Sequence, residues 1–316
     1  MVYLTRRLLQ SLPVIIMASI PVFLILHFAP GDPALTLAGE DASKETIALI
    51  RASLDLDKPL WMQYSLWLEK IAMGDLGKSY MLDIPVIDLV MQRLKATLEL
   101  SLAAIFLAVI IAVPLGIKAA LSRGGWVDHV ITAATSIAIA IPNFWLGIVL
   151  VIIFGVLLDL LPAGGRVAFF ESPLEALRFL ILPATTLALY VAATLSRFIR
   201  TSMIEVLVQD YIRTARSKGL SRNQIIYGHA LKNAIIPALT VLGAQFGRLV
   251  SGAIIVESIF SWPGLGSLML EAIRNRDYPI IQGGLLIFIF LVIVTNIITD
   301  LLYGLADPRI QLASGK

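Results

Sequence analysis

Six apolar stretches, each long enough to cross a bilayer, constrain this chain more than any other feature. A spanning helix needs about 20 apolar residues, because each adds roughly 1.5 Å across a hydrocarbon core of roughly 30 Å. Residues 8–31, 100–117, 130–158, 179–196, 235–256 and 278–299 meet that requirement; the third contains Pro142, the fourth Pro183 near its start, and the fifth Arg248. Composition agrees: 58% of the 316 residues are hydrophobic and 15% charged, against roughly 25% charged in soluble domains. That is too little charge to cover a water-facing surface, so the chain reads as an all-α integral membrane protein. The absence of cysteine excludes a disulfide scaffold, a Cys-based zinc site and a thiol nucleophile.

Arg6 and Arg7 precede the first apolar run, as in a signal peptide, but the run is longer than a signal core. No A-x-A-like site precedes the polar break at Pro30-Gly31-Asp32. It reads as a retained first span. With the N-terminus inside, the inner segments hold Arg6, Arg7, Lys118, Arg123, Arg197, Arg200, Arg213, Arg216, Lys218, Arg222, Lys232, Arg309 and Lys316. The two short outer loops hold Arg166, Arg178, Arg274 and Arg276. With the long outer loop left out of the count, because long loops translocate regardless of charge, thirteen basic residues against four place both termini in the cytoplasm.

The expected outer loop, residues 32–94, carries two amphipathic helical patterns: Ile47, Ile50 and Leu54, then Trp61, Leu68 and Ile71 after Asp57-Lys58-Pro59. They read either as packing helices that cap the spans or as a docking surface for an external partner. Residues 72–79, A-M-G-D-L-G-K-S, resemble a phosphate-binding loop. Such a loop needs a preceding strand and a following helix whose N-terminus meets the phosphates. Here a Trp-bearing helical segment precedes it and Pro85 follows before any helix, so nucleotide binding is rejected.

The segment between the fourth and fifth spans is a long inner connection. Residues 200–218 read as a helix with Ile204, Leu207, Val208, Tyr211, Ile212 and Ala215 on one face. Arg213, Arg216 and Lys218 sit near its C-terminus, where the macrodipole favours cations. Gly219 stops it as a residue free to adopt φ > 0. Ser221-Arg222-Asn223-Gln224 has the spacing of a capping box and opens a second helix to about Lys232. A helix, a glycine turn and a helix flanked by basic residues form a knob shaped for a groove. The same pattern also suits an interfacial pair held to anionic lipid and, less well because both flanks are tethered to spans, a DNA-binding helix-turn-helix.

At this point the sequence resembles a known family. Ala215, Gly219 and the helix after them resemble the E-A-A…G loop of permease subunits from ATP-binding-cassette (ABC) importers, with Arg213 and Thr214 where the general pattern has Glu and Ala. Residues 210–237 look most like the branch that imports dipeptides, oligopeptides, glutathione or nickel. Matches run through nearly the whole chain: Arg6-Arg7-Leu8, His27-Phe28-Ala29-Pro30-Gly31-Asp32-Pro33, Gly74-Asp75-Leu76-Gly77, Pro142-Asn143-Phe144-Trp145, Leu182-Pro183-Ala184, Ser261-Trp262-Pro263-Gly264-Leu265-Gly266, Arg276-Asp277-Tyr278-Pro279 and Asp307-Pro308-Arg309. Two departures stand out. His229-Ala230-Leu231-Lys232 replaces the wider I-x-L-P ending, with proline only at Pro237, and Arg248 stands where an apolar or small residue is expected.

The resemblance implies a type I ABC importer permease fold of six transmembrane helices. Its parts would be an N-terminal span at 1–31, an outer loop at 32–94, a five-helix core at 95–305 with a coupling loop at 200–234, and a cytoplasmic tail at 306–316. It implies a multi-pass protein of the bacterial cytoplasmic membrane that pairs with a homologous second permease, sits on two ATPase subunits and receives substrate from an external binding protein. It places Asp210, Arg213, Thr214, Ala215, Arg216, Lys218, Gly219, Leu220 and Ser221 in the ATPase-coupling loop. No cofactor and no metal is expected on this chain; ATP and Mg belong to partner subunits.

Polar residues inside spans are costly and therefore informative. Arg248, Gln245 and Asn296 are candidates for the translocation path, Arg248 as a partner for an anionic group or, structurally, for Glu257 or Asp300. Gly243 and Gly247 form a G-x-x-x-G face for close helix approach, Asn296 and Asp300 share a helix face, and Pro142 and Pro183 mark bends. Enzyme readings fail: His27, His129 and His229 are scattered, and neither H-E-x-x-H nor G-x-S-x-G occurs. Small peptides lead as cargo, with nickel chelates, glutathione and opine-like conjugates open. A stand-alone secondary transporter is the rival from another class, and it would leave the cytoplasmic knob without a role.

Overall fold

The computed structural model describes residues 2–28, 33–39 and 42–306. The Pro30-Gly31-Asp32 break and the tail from Asp307 lie outside the described residues, as do the side chains of Arg6, Arg7 and Asp300. In chain order the helices are α1 (Val2–Phe28), α2 (Pro33–Ala38), α3 (Lys44–Ser53), α4 (Leu60–Ala72), α5 (Val86–Leu121), α6 (Trp126–Ala140), α7 (Asn143–Leu150), α8 (Pro173–Leu207), α9 (Asp210–Ser217), α10 (Leu231–Ile259), α11 (Leu265–Asn275) and α12 (Tyr278–Ala306). π-Helical segments at Val151–Leu157 and Gln224–Ala230 continue α7 and lead into α10. Among the described residues the only β-bridge joins Lys78 and Pro85.

Five helices are long and apolar enough to cross a membrane, and the bent pair Trp126–Ala140 with Asn143–Leu157 brings the number to six when it is taken as one broken span. The expected third span is therefore not straight: its halves meet at 99°. Pro142 explains the break, because it lacks an N–H to donate and drives Ile141 out of the helical region, to φ −73° and ψ 124°. Pro183 behaves differently. It lies buried within α8, which runs unbroken past it.

The chain divides into two compact units, the boundaries falling inside α5, between α10 and α11, and inside α12. The first comprises residues 1–96 and 263–293. Its core joins Val86 and Val90 of α5 to Leu265, Leu268 and Ala272 of α11 and Tyr278, Ile280 and Ile281 of α12. Gly283 is required there, since a Cβ at that position would lie 2.7 Å from a Val86 methyl. Phe23 of α1 packs against Tyr64 and Trp67 of α4, and the Gln63 side chain is buried, donating to the Lys58 carbonyl and meeting His27 at 3.0 Å. Trp61, expected on the apolar face of α4, is instead 68% exposed, because α4 docks through Gln63, Tyr64 and Trp67.

The second unit, residues 97–262 and 294–316, is organised around α8, which packs against α6, α7 and α10. Its buried face carries Leu187, Ala188, Val191, Ala192, Leu195 and Ile199. Small residues allow close approach: a Cβ on Gly116 would lie 2.8 Å from Ile199, and one on Gly243 would lie within 2.2 Å of the Thr299 side chain. Gly247, the other half of the expected G-x-x-x-G face, meets nothing within 4 Å. Among the described residues, then, Gly243 is the glycine of that pair at which the space for a side chain is taken.

Candidate functional site

The segment after the fourth span differs from the single helix expected over 200–218. α8 ends at Leu207, the chain turns at Val208 and Gln209, and α9 begins as a separate helix at Asp210. A straight helix would carry all six apolar residues on one stripe, whereas the turn leaves Val208 66% exposed and lets Ile212 and Ala215 be buried. α9 packs on the π segment that carries buried Ile225, Ile226 and Ala230. The Tyr211 hydroxyl accepts a hydrogen bond from Asn233 Nδ2 at 2.8 Å, tying α9 to the start of α10.

The end of α9 is a Schellman motif. The Gly219 N–H donates to the Arg216 carbonyl at 2.9 Å and the Leu220 N–H to the Ala215 carbonyl at 3.3 Å. Gly219 sits at φ +78°, a conformation that L side chains rarely adopt. The capping box forms next: the Ser221 N–H donates to Gln224 Oε1 at 2.9 Å, and the Gln224 N–H to Ser221 Oγ at 3.4 Å. The second helix opened by this box does not stop near Lys232. It passes through the π segment directly into α10, so the turn and the fifth apolar span are one continuous helical element. π-Helical turns in α-helices recur at functional sites.

The outward surface of this knob consists of Asp210, Arg213, Thr214, Arg216, Ser217, Lys218, Gly219 and Ser221, all exposed. Leu220 is half-buried and Ala215 buried. Arg213 reaches Asp210 at 3.5 Å, an exposed i,i+3 pair worth little in water. Beside it a groove of about 500 Å³ is lined by Ala120, Leu121, Leu207, Leu220, Ile225 and Ile226, with Arg216 and Arg222 at its edge.

The polar residues of the spans separate into paired and unpaired groups. Glu257 is fully buried and accepts a hydrogen bond from Thr97 Oγ1 at 2.6 Å. It makes no ion pair with Arg248, which is exposed and has no ion-pair partner among the described residues. Gln245 is 4% exposed, its Oε1 without a hydrogen-bond partner among the described residues, and Asn296 is exposed. Glu99 holds Arg166, whose guanidinium also lies 5.8 Å over the Trp262 ring. Asp128, in the first turn of α6, binds Arg200 of α8 through both oxygens, at 2.6 and 2.7 Å, and accepts the Gly124 N–H at 3.0 Å. Nothing in the local sequence links Asp128 to Arg200, which lies with Arg197 within the long helix α8.

The phosphate-loop look-alike has a different job. It follows helix α4 rather than a strand, and Ser79 donates to the Asp277 carboxylate, which also accepts the N–H groups of Tyr80 and Met81. The loop is pinned to the turn between α11 and α12.

Comparison with known proteins gives a consistent result. Residues 112–312 match the family described as binding-protein-dependent transport system inner membrane component, and residues 1–102 match its N-terminal counterpart. A relative from Brucella abortus (strain 2308), named as a peptide transport system permease protein, is 42% identical over 306 residues, covering 97% of this chain and 98% of the relative. The dipeptide transport system permease protein DppB of Escherichia coli (strain K12) is 40% identical over 333 aligned positions, covering 98% of each chain. Among solved structures, the inward-facing MetNI methionine ABC transporter matches with a TM-score of 0.57 at 17% identity, over 69% of this chain and 96% of that one. At that identity the likeness speaks for the fold.

Proposed function

The chain belongs to the family of binding-protein-dependent transport system inner membrane components, with the all-α ABC importer permease fold, and from that premise we propose that it is the pore-forming permease subunit of an ATP-driven importer of small peptides. The names of its relatives, a peptide transport permease and a dipeptide transport permease, support that cargo. In this reading it pairs with a homologous second permease and two ATP-binding-cassette ATPases, and accepts peptide from an external binding protein. Both termini lie in the cytoplasm, and residues 32–94 face outside.

The observation that carries the coupling role is the exposed α9–Gly219–Ser221 knob, continuous with a span through a π segment. Asp210, Arg213, Thr214, Arg216, Lys218, Gly219 and Ser221, with half-buried Leu220, form the surface that seats in an ATPase groove, while Ala215, buried beneath them, holds α9 in place. Closure of the ATPases on ATP then moves α10 as a rigid body, with no break to absorb the displacement. ATP and Mg act in the partner subunits, and this chain performs no catalysis. Arg248 and Asn296, exposed on α10 and α12, face the path, with Gln245 behind them.

Proteoliposomes containing this chain, its second permease and both ATPases, supplied with binding protein, should accumulate labelled dialanine only when ATP is present. Uptake by the chain alone down an ion gradient would sink the reading. Uptake of a nickel chelate or glutathione in place of peptide would shift the cargo within the same branch.

A further inference from the structure

Arg93 of α5 and Glu271 of α11 bring opposite charges to one pocket of about 230 Å³ within the first compact unit, and they do not meet. The α5 wall is Leu89 and Arg93, one helical turn apart. The α11 wall is Leu268, Glu271, Ala272 and Asn275, whose spacing puts them on one helix face. Leu268 and Ala272 are buried in the core of the unit, which leaves the exposed Glu271 and Asn275 at the pocket. Arg93 is half-buried. Among the described residues, the Arg93 guanidinium, the Glu271 carboxylate and the Asn275 amide make no hydrogen bond and no ion pair. Asp277 also borders the pocket, but its two oxygens already accept from Ser79 Oγ and from the N–H groups of Tyr80 and Met81. A cation, an anion and an amide thus line one small space with their bonding capacity unused.

That set of groups selects its ligand. Cations alone would suit a phosphate and carboxylates alone a metal ion, whereas one guanidinium and one carboxylate held apart suit a molecule that carries both charges itself. A free peptide does so, with an ammonium at one end and a carboxylate at the other. The planar fork of Arg93 matches the carboxylate, Glu271 accepts from the ammonium, and Asn275 offers both a donor and an acceptor to the peptide unit between them. Glu271 and Asn275 are separated by roughly 6 Å along α11, and two extended residues span at most about 7 Å. The rim accommodates varied side chains: Met81 and Leu82 are 62% and 54% exposed, yet their backbone is fixed, Met81 N–H on Asp277 and Leu82 N–H on Ser79 Oγ at 3.0 Å. A flexible thioether on a fixed backbone adapts to apolar groups of different shape. We propose that the α5–α11 pocket binds free, zwitterionic peptide, Arg93 taking its carboxylate and Glu271 its ammonium. The inference rests on the peptide-import reading above, in which this pocket faces outside.

The test uses the assembled complex of both permeases and both ATPases, without binding protein, and labelled dialanine in equilibrium dialysis. Wild type should bind dialanine saturably and favour it about tenfold or more over N-acetyl-dialanine and over dialanine amide. Arg93→Gln should erase the preference over the amide and keep that over the acetylated peptide; Glu271→Gln should do the reverse. A merely structural role would change overall affinity without exchanging these preferences. Glu271 is exposed, so its variant decides the matter by itself where Arg93→Gln does not assemble. A wild-type complex that imports dialanine with its binding protein but binds none without it would overturn the proposal and leave the import reading standing. One that imports no dialanine would fail the import reading itself. Free and capped peptides bound alike, or preferences unchanged in both variants, would also overturn the proposal. Weakened capture of the binding protein by the variants, with dialanine binding unchanged, would assign the pocket to docking of that protein instead.

Discussion

Arg200 Nε and Nη2 donate to the two carboxylate oxygens of Asp128 at 2.6 and 2.7 Å, joining residues 72 positions apart and fastening the start of α6 to α8. Asp128 is 3% exposed, so removing it strands a partly buried guanidinium, at a cost of about 3–5 kcal/mol. Asp128→Ala should therefore lower the Tm of the purified protein by several degrees, whereas Asp128→Asn, which keeps one acceptor oxygen, should lower it less. Equal Tm values for all three forms would show that the pair contributes nothing to stability.

Gly219 tests backbone against contact. A Cβ there would meet nothing within 4 Å, and only φ +78° resists a side chain. Gly219→Val should strain the turn by roughly 1–3 kcal/mol and reduce peptide uptake per ATP hydrolysed while leaving membrane insertion intact. Gly219→Asn, tolerated in left-handed conformations, should retain most coupling. A valine variant as well coupled as the asparagine one would remove the turn geometry from the mechanism.

Gly243 and Gly247, four apart on α10, should respond oppositely to bulk. A side chain at Gly243 collides with Thr299, and overpacking of this kind costs about 1–3 kcal/mol. A Cβ at Gly247 meets nothing within 4 Å among the described residues. Thermal unfolding of the isolated subunit should separate Gly243→Leu, destabilised, from Gly247→Leu, near wild type. Loss of assembly with the second permease in Gly247→Leu alone would place that position at the subunit interface.

Burial, reinforced by the Asp277 carboxylate and by Tyr278, pushes the Tyr80 phenol up to about 12. A raised phenol pKa favours the neutral form in the fold, so its contribution is complete below about 10, the unfolded value, and is lost as pH rises from about 10 to about 12. Tyr80→Phe should flatten the alkaline fall in stability over that window. Asp277→Asn should bring the phenol down only in part, since burial is the larger cause. Phenolate absorbance titration of the variants measures both.

Features that depend on neighbours along the chain were legible before any folding. Hydropathy alone places six apolar stretches, because crossing a bilayer is a matter of length and local composition. The Gly219 turn and the Ser221–Gln224 capping box formed as read, since both close within a few residues. The family resemblance on 210–237 was equally local. What depends on which faces meet came only with packing. It ended α8 at Leu207, because Ile212 and Ala215 find burial only by folding α9 onto the π segment. It gave Glu257 to Thr97 and Asp128 to Arg200, leaving Arg197 and Arg248 without ion-pair partners among the described residues. Charge type is written in the sequence. Whether a charge is paired depends on the approach of helices far apart along the chain, and that follows from packing.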